Sequence, residues 1–243
     1  MNSNLLANEI HNYCIRNAHE ANILKYSRYF KEGLYDGYGL TAPQIKTGCK
    51  ELLKLKDLNL DAVIEAYDDM ITYAKSEEIS IIMLLAIGFH KQFSRETFYA
   101  MEKWYHKGIN NWAHADTMGM MVLPIFLNKA IIGISDFKSW LTAENKYQRR
   151  SVPVTFIKLL KTHKEYNELF TIIECLMTDS EREVHQGTGW FLREAWKRKP
   201  EETEAFLMTW KEVSPRLIFQ YATEKMSIEG KMMFRRTKKF DKV

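Results

Sequence analysis

Apolar residues recur at three- and four-residue intervals almost from one end of this chain to the other. No stretch alternates cleanly over several β-branched residues between turn pairs. Such a chain must build from amphipathic helices, each covering its apolar stripe with a neighbour, so the expected class is all-α. The periodicity predicts helices over Leu5–Asn17, Glu20–Lys31, Ala42–Leu55, Asp61–Ser76, Glu78–Gln92, Arg95–Gly108 and Trp112–Leu127. Further helices are predicted over Phe137–Leu141, Arg149–Thr162, Glu165–Thr178, Glu181–Lys199, Glu201–Val213 and Pro215–Glu224. Ser94 can cap the helix from Arg95, and Ser180 with Glu183 has the spacing of a capping box. Pro200 follows the basic run Lys197-Arg198-Lys199, which suits a helix C-terminus, and Pro215 fits a first turn. Gly33–Gly39 reads as a loop, closed by Pro43 in the first turn of the next helix. Helix pairs recur about every forty residues, the spacing of HEAT-like repeats, with a globular helical bundle as the alternative.

At 243 residues and 46% hydrophobic, the chain can fill one sizeable core. The reading is one repeat domain over residues 1–230 and a basic tail over 231–243. That tail carries Lys231, Arg235, Arg236, Lys238, Lys239 and Lys242 against Asp241, a local charge of +5 in a chain of net +4, so the rest sums to −1. Such an end attracts nucleic acid or acidic surfaces and is also a common solubilising end; a DNA-binding face elsewhere must come from local clustering of charge. Cys14, Cys49 and Cys175 are odd in number, far apart and at no metal-ligand spacing, which reads as reduced thiols in a cytosolic protein. No apolar run approaches a bilayer span, and Met1-Asn2-Ser3-Asn4 does not open an export signal, so no membrane partner is expected. There is no Gly-rich phosphate loop, no Gly-x-Ser-x-Gly, no His-Glu-x-x-His and no Cys-x-x-Cys, which argues against the commonest nucleotide, serine-hydrolase and zinc chemistries.

Chemistry concentrates in three places: Trp112 and Asp116, Arg149-Arg150, and Trp190 within Gly189-Trp190-Phe191-Leu192-Arg193-Glu194. Residues four apart on a helix project from nearly the same face, so Trp112 and Asp116 are presented together. An aromatic face beside a carboxylate suits a ligand that carries or develops positive charge. The plainer alternatives are core tryptophans, a solvated helical acid and an exposed arginine pair. His114 lies on another part of the helix from Asp116 and is a poor acid–base candidate.

In order, these features resemble the AlkD-like DNA alkylation repair glycosylases, over about Tyr26 to Thr223. Arg28-Tyr29-Phe30-Lys31 and Gly39-Leu40-Thr41-Ala42-Pro43 are similar to the family's aromatic-lysine segment and Gly-hydrophobic-x-x-Pro step. Trp112 to Asp116 is similar to its Trp-x-x-x-Asp motif, Arg149-Arg150 to its paired arginines, and Gly189 to Glu194 to its Gly-Trp-x-Leu-Arg-Glu motif. Ser214-Pro215-Arg216 and Ala222 resemble its last helix. The resemblance implies a right-handed superhelix, an α-solenoid of HEAT-like repeats, whose basic concave face holds duplex DNA. It implies excision of N7-alkylguanine and N3-alkyladenine without flipping the base, with Asp116, Trp112 and Trp190 against the lesion's deoxyribose. It also implies DNA contacts from Arg150, from Arg149 as the less favoured of the pair, and from Lys31, Lys46, Arg193 and Arg216. No metal or organic cofactor is expected. The partner would be double-stranded DNA carrying alkylated bases, bound by a monomer in the cytoplasm and associated with the nucleoid. The rival readings are a non-catalytic repeat protein that binds branched or distorted DNA and a protein-binding repeat scaffold.

This chain departs from the pattern in several places. Gln186 stands where family members often carry lysine. Gly187 and Gly189 fall inside a predicted helix, each weakening it by about 1 kcal/mol. Pro153 must either kink the arginine helix or mark a later start near Ser151.

Overall fold

A computed structural model of the chain describes residues 1–30 and 35–237, and no strand occurs among them. The protein is all-α, and its contacts cluster into two compact units, Met1–Ile131 and Ile132–Val243. No helix among the described residues is long and apolar enough to cross a membrane.

The first unit contains α1 (Ser3–Arg16), α2 (Glu20–Ser27), α3 (Ala42–Leu52), α4 (Leu60–Met70), α5 (Ser76–Gly88), α6 (Arg95–Glu102), α7 (Trp104–Lys107), α8 (Trp112–Thr117) and α9 (Leu123–Asn128). Its centre is α5, in which Ile79, Ile81, Ile82, Met83, Leu85 and Ala86 are all buried. A helix apolar around its circumference needs neighbours on every side, and α1, α3, α4 and α8 supply them. Two helix starts follow the sequence closely. Thr41 and Gln44 cap α3 reciprocally with Pro43 in its first turn, and Ser94 accepts from Thr97 N at the head of α6.

The helix expected over Trp112–Leu127 is divided. It is α-helical to Thr117, widens into a π segment over Met118–Val122, and resumes at Leu123. Pro124 accounts for the break, because it has no N–H to reach Met120 O and its ring crowds that carbonyl. The stretch Arg95–Gly108 is likewise split into α6 and α7.

The second unit opens with two 3₁₀ turns, Ile134–Phe137 and Ser139–Thr142, where one short helix was expected. It continues with α10 (Lys146–Leu159), α11 (Tyr166–Ile173), α12 (Arg182–Trp196), α13 (Pro200–Trp210), α14 (Arg216–Ala222) and α15 (Ile228–Met233). Helix α12 packs against both α10 and α14, and its two glycines make that possible. A Cβ on Gly187 would stand 2.9 Å from Arg150 Cγ, and one on Gly189 would stand 2.7 Å from Ile218 O. The glycines are close-approach points between helices, so their cost in helix propensity is offset by packing.

Other local readings are corrected. Asn145 caps α10, accepting from Tyr147 N, so the helix begins before Arg149 and carries Pro153 inside it. Ser180 does not cap α12. Asp179 Oδ1 accepts from Glu181 N (2.8 Å), while the Glu183 carboxylate is drawn to Lys146 Nζ (2.7 Å). Pro215 sits one residue before the first turn of α14, whereas Pro200 opens α13.

Residues 231–237 of the segment read as a tail are folded. Phe234 is buried near Phe219, Arg236 Nη2 donates to Ser214 O (2.8 Å), and Thr237 Oγ1 donates to Glu212 Oε1 (2.9 Å). Lys238, Lys239 and Lys242 lie outside the described residues.

Candidate functional site

Trp112 and Asp116 share α8, one turn apart. The helix is held at its start by a paired amide and imidazole. Asn111 Oδ1 accepts from His114 N (2.9 Å), and Asn111 Nδ2 donates to His114 Nδ1 (3.0 Å). His114 Nε2 donates to Ser76 O at the head of α5 (2.9 Å), which fixes the neutral tautomer. Burial pushes the His114 imidazole down to about 4, so it is uncharged at neutral pH and serves as a clamp between α8 and α5.

Above that clamp Trp112 stays 37% exposed, an unusual state for an indole on a folded helix. Its ring is backed by an aromatic stack. Phe30 lies 5.6 Å from Trp112 at 21°, Tyr35 lies 5.3 Å from Phe30 at 26°, and Tyr26 meets Tyr35 edge-on at 5.8 Å. The stack ends on Glu77, a buried carboxylate that accepts from the Tyr35 hydroxyl. Glu77 also accepts from the backbone N–H groups of Tyr38, Gly39 and Leu40 at 2.9, 2.9 and 3.0 Å. Asp116 is half-buried on the same helix.

The second unit carries Trp190, half-buried on α12. Gln186, one turn earlier on that helix, donates to Tyr221 Oη on α14 (3.1 Å). The paired arginines are occupied within the fold. Arg149 Nε and Nη2 donate to Asp179 Oδ2 and Oδ1 at 2.6 and 3.1 Å, and Arg149 Nη1 donates to Ala143 O (2.7 Å). Arg150 is 5% exposed and its Nη1 donates to Glu183 O (2.7 Å). Neither arginine is an exposed charge.

The remaining cations differ in what holds them. Arg193 donates to Glu194 Oε1 (3.1 Å) and to Glu224. Arg216 donates to Phe234 O (2.8 Å) and lies over the Phe219 ring, and burial lowers its guanidinium from the usual range. Lys46 stands exposed on α3. Lys31 lies outside the described residues.

Sequence reading missed Tyr35 and Glu77 and gave Phe30 no role. Glu77-Glu78 looks like an ordinary acidic first turn, favoured by the helix dipole. The available signal was its position ahead of a wholly apolar helix, where carboxylates are forced inward.

The fold is that of a solved structure described as a predicted DNA alkylation repair enzyme from Enterococcus faecalis. The two match with a TM-score of 0.72 at 20% identity, over 87% of this chain and 98% of that chain. The sequence pattern of the DNA alkylation repair enzyme family matches residues 14–226, and the chain belongs to that family. No curated protein matches the chain significantly.

Proposed function

We propose that this protein is a DNA glycosylase that hydrolyses the N-glycosidic bond of cationic alkylated purines, N7-alkylguanine and N3-alkyladenine, in duplex DNA. The observation that carries this reading is the Trp112–Asp116 pair on α8, one turn apart with the indole open to solvent, in a chain of the DNA alkylation repair enzyme family. Departure of the purine leaves an oxocarbenium-like sugar. A carboxylate about 4 Å from that unit charge contributes roughly 4 kcal/mol at an effective dielectric near 20, about a thousandfold in rate. Asp116 supplies that carboxylate and orients the attacking water, and Trp112 packs on the deoxyribose without the base leaving the stack, while Trp190 is the second unit's own candidate for contact with DNA.

An alkylated purine departs without needing a proton, so the reaction asks for no general acid, metal or organic cofactor. Selection of the lesion then follows from its charge and lability, with little reading of base edges. With Arg150 buried, phosphate contact falls in this reading to Lys46 foremost, with Arg193 and Arg216, and to Lys31, which lies outside the described residues. Arg149 and Arg150 act by holding the heads of α10 and α12. The protein works as a monomer on DNA in the cytoplasm.

Chromatography of the bases released from duplexes carrying single lesions tests this reading. N7-methylguanine and N3-methyladenine should be released and hypoxanthine, an uncharged lesion base, left in place. Equal release of hypoxanthine would contradict the charge-based account. Tight binding to branched or bent DNA without any release would instead favour recognition of DNA shape.

A further inference from the structure

The Trp112 indole is one end of a chain of contacts that runs into the core of the first unit, and each link is specified. Phe30 lies nearly parallel to the indole, and Tyr35 lies nearly parallel to Phe30. Offset-stacked rings resist tilting because their quadrupoles and contact area favour one arrangement. Tyr35 is fixed in turn at both its hydroxyl and its face. The hydroxyl donates to Glu77, and burial followed by the Glu77 charge pushes the phenol up, so it remains a donor across the working pH range. Beneath the ring lies Gly37, where a Cβ would stand 2.4 Å from Tyr35 Cζ and 2.6 Å from Glu77 Oε2.

Glu77 cannot drift, because three successive backbone N–H groups hold it. It sits in the first turn of α5, next to Ser76, whose carbonyl anchors His114 of α8. The first turn of α5 therefore grips α8 twice, once through the imidazole and once through the stacked rings.

We infer that Phe30 and Tyr35, anchored on Glu77, are positioning residues that set the angle of the Trp112 indole against the lesion. The inference rests on the excision reading above for its catalytic consequence, although the relay itself is a property of the free protein. A lone exposed indole samples several rotamers, and each one lost on binding DNA lowers the fraction of productive encounters. The stack removes that freedom before DNA arrives.

The test pairs single-turnover excision of N7-methylguanine with ¹⁹F NMR of protein labelled with 5-fluorotryptophan. The Trp112 resonance among the six tryptophans is assigned by its loss in Trp112→Phe. Phe30→Ala should slow excision about tenfold and move the Trp112 resonance alone, with affinity for undamaged duplex unchanged. Phe30→Tyr should restore both. Tyr35→Phe, which deletes only a hydroxyl and covers the case in which Phe30→Ala fails to fold, should move the same resonance and slow excision about threefold. A Trp112 resonance unmoved in Tyr35→Phe and Phe30→Ala, or excision by both at the wild-type rate, overturns the inference. Absence of excision by the wild type would remove the glycosylase reading, and the resonance would still decide whether the relay exists.

Discussion

Helices α8 and α12 carry the two most distinctive motifs in the chain, and the fold uses them in opposite ways. On α8 the motif's indole faces outward: Trp112 is left exposed, and the polar groups around it, Asn111 and His114, work to fix the helix beneath it. On α12 the motif faces inward. Gly187 and Gly189 exist to let α10 and α14 approach, Gln186 is bonded to Tyr221, and Arg193 is bonded to acids. One motif leaves its indole open, and the other is mostly frame, with its indole, Trp190, half-buried. Residues that share a motif need not share a role, and burial with bonding partners separates the two.

Changes to the frame should cost stability. Gly189→Ala places a methyl against the backbone of α14 and should destabilise the protein by roughly 3 kcal/mol, read as a melting temperature lower by about 10 °C. Gly187→Ala should be milder, since its nearest neighbour is the side chain of Arg150 and part of the loss is offset by about 1 kcal/mol of helix propensity. Equal losses from the two would break the claim that α14, and not α10, sets the tighter contact.

The α8 clamp should reveal itself in pH dependence. His114 titrates at about 4 in the fold and near 6.5 when unfolded, so between those values the unfolded chain holds the extra proton. Stability therefore rises with pH, is fully present above about 6.5, and is lost as pH falls toward 4, by a total on the order of 3 kcal/mol at most. Urea midpoints measured across that range should show the decline in the wild type and lose much of it in His114→Asn. A decline of the same size in both would mean that other groups carry the acid sensitivity.

Two smaller effects sharpen the contrast between frame and contact. Arg149→Ala leaves Asp179, itself mostly buried, without its ion pair and should cost about 2 kcal/mol of stability with no change in the salt dependence of DNA binding. Lys46→Ala should do the reverse, sparing stability and lowering the slope of log affinity against log salt by about one. Exchanged outcomes would place the phosphate contact on Arg149 and not on Lys46.

Much of the first unit was legible before any coordinates, because its signals are local. Apolar period, the Ser94 cap and Pro43 each act within one turn, and each appears where it was expected. The failures came where distant residues compete for the same group. Ser180–Glu183 has capping-box spacing, but Lys146 takes the Glu183 carboxylate, Asp179 accepts from Glu181 N just ahead of the helix, and α12 starts without a side-chain cap. Arg149-Arg150 reads as exposed charge only until Asp179 and the Glu183 carbonyl fold onto it. The π segment needed Pro124 to be weighed against a strongly periodic stretch, and periodicity outweighed it. At the candidate site, Trp112 and Asp116 were found by spacing on one helix. The stack of Phe30 and Tyr35 on Glu77 joins three stretches of chain, and no helical period links them.

The central claim is that the α8 carboxylate accelerates glycosidic cleavage, and Asp116→Asn tests it with almost no change of shape. The measurement is the single-turnover rate of N7-methylguanine release at saturating protein, alongside affinity for undamaged duplex. The account predicts a rate two to three orders of magnitude below wild type with affinity unchanged. A variant that releases the base within threefold of the wild-type rate would contradict it.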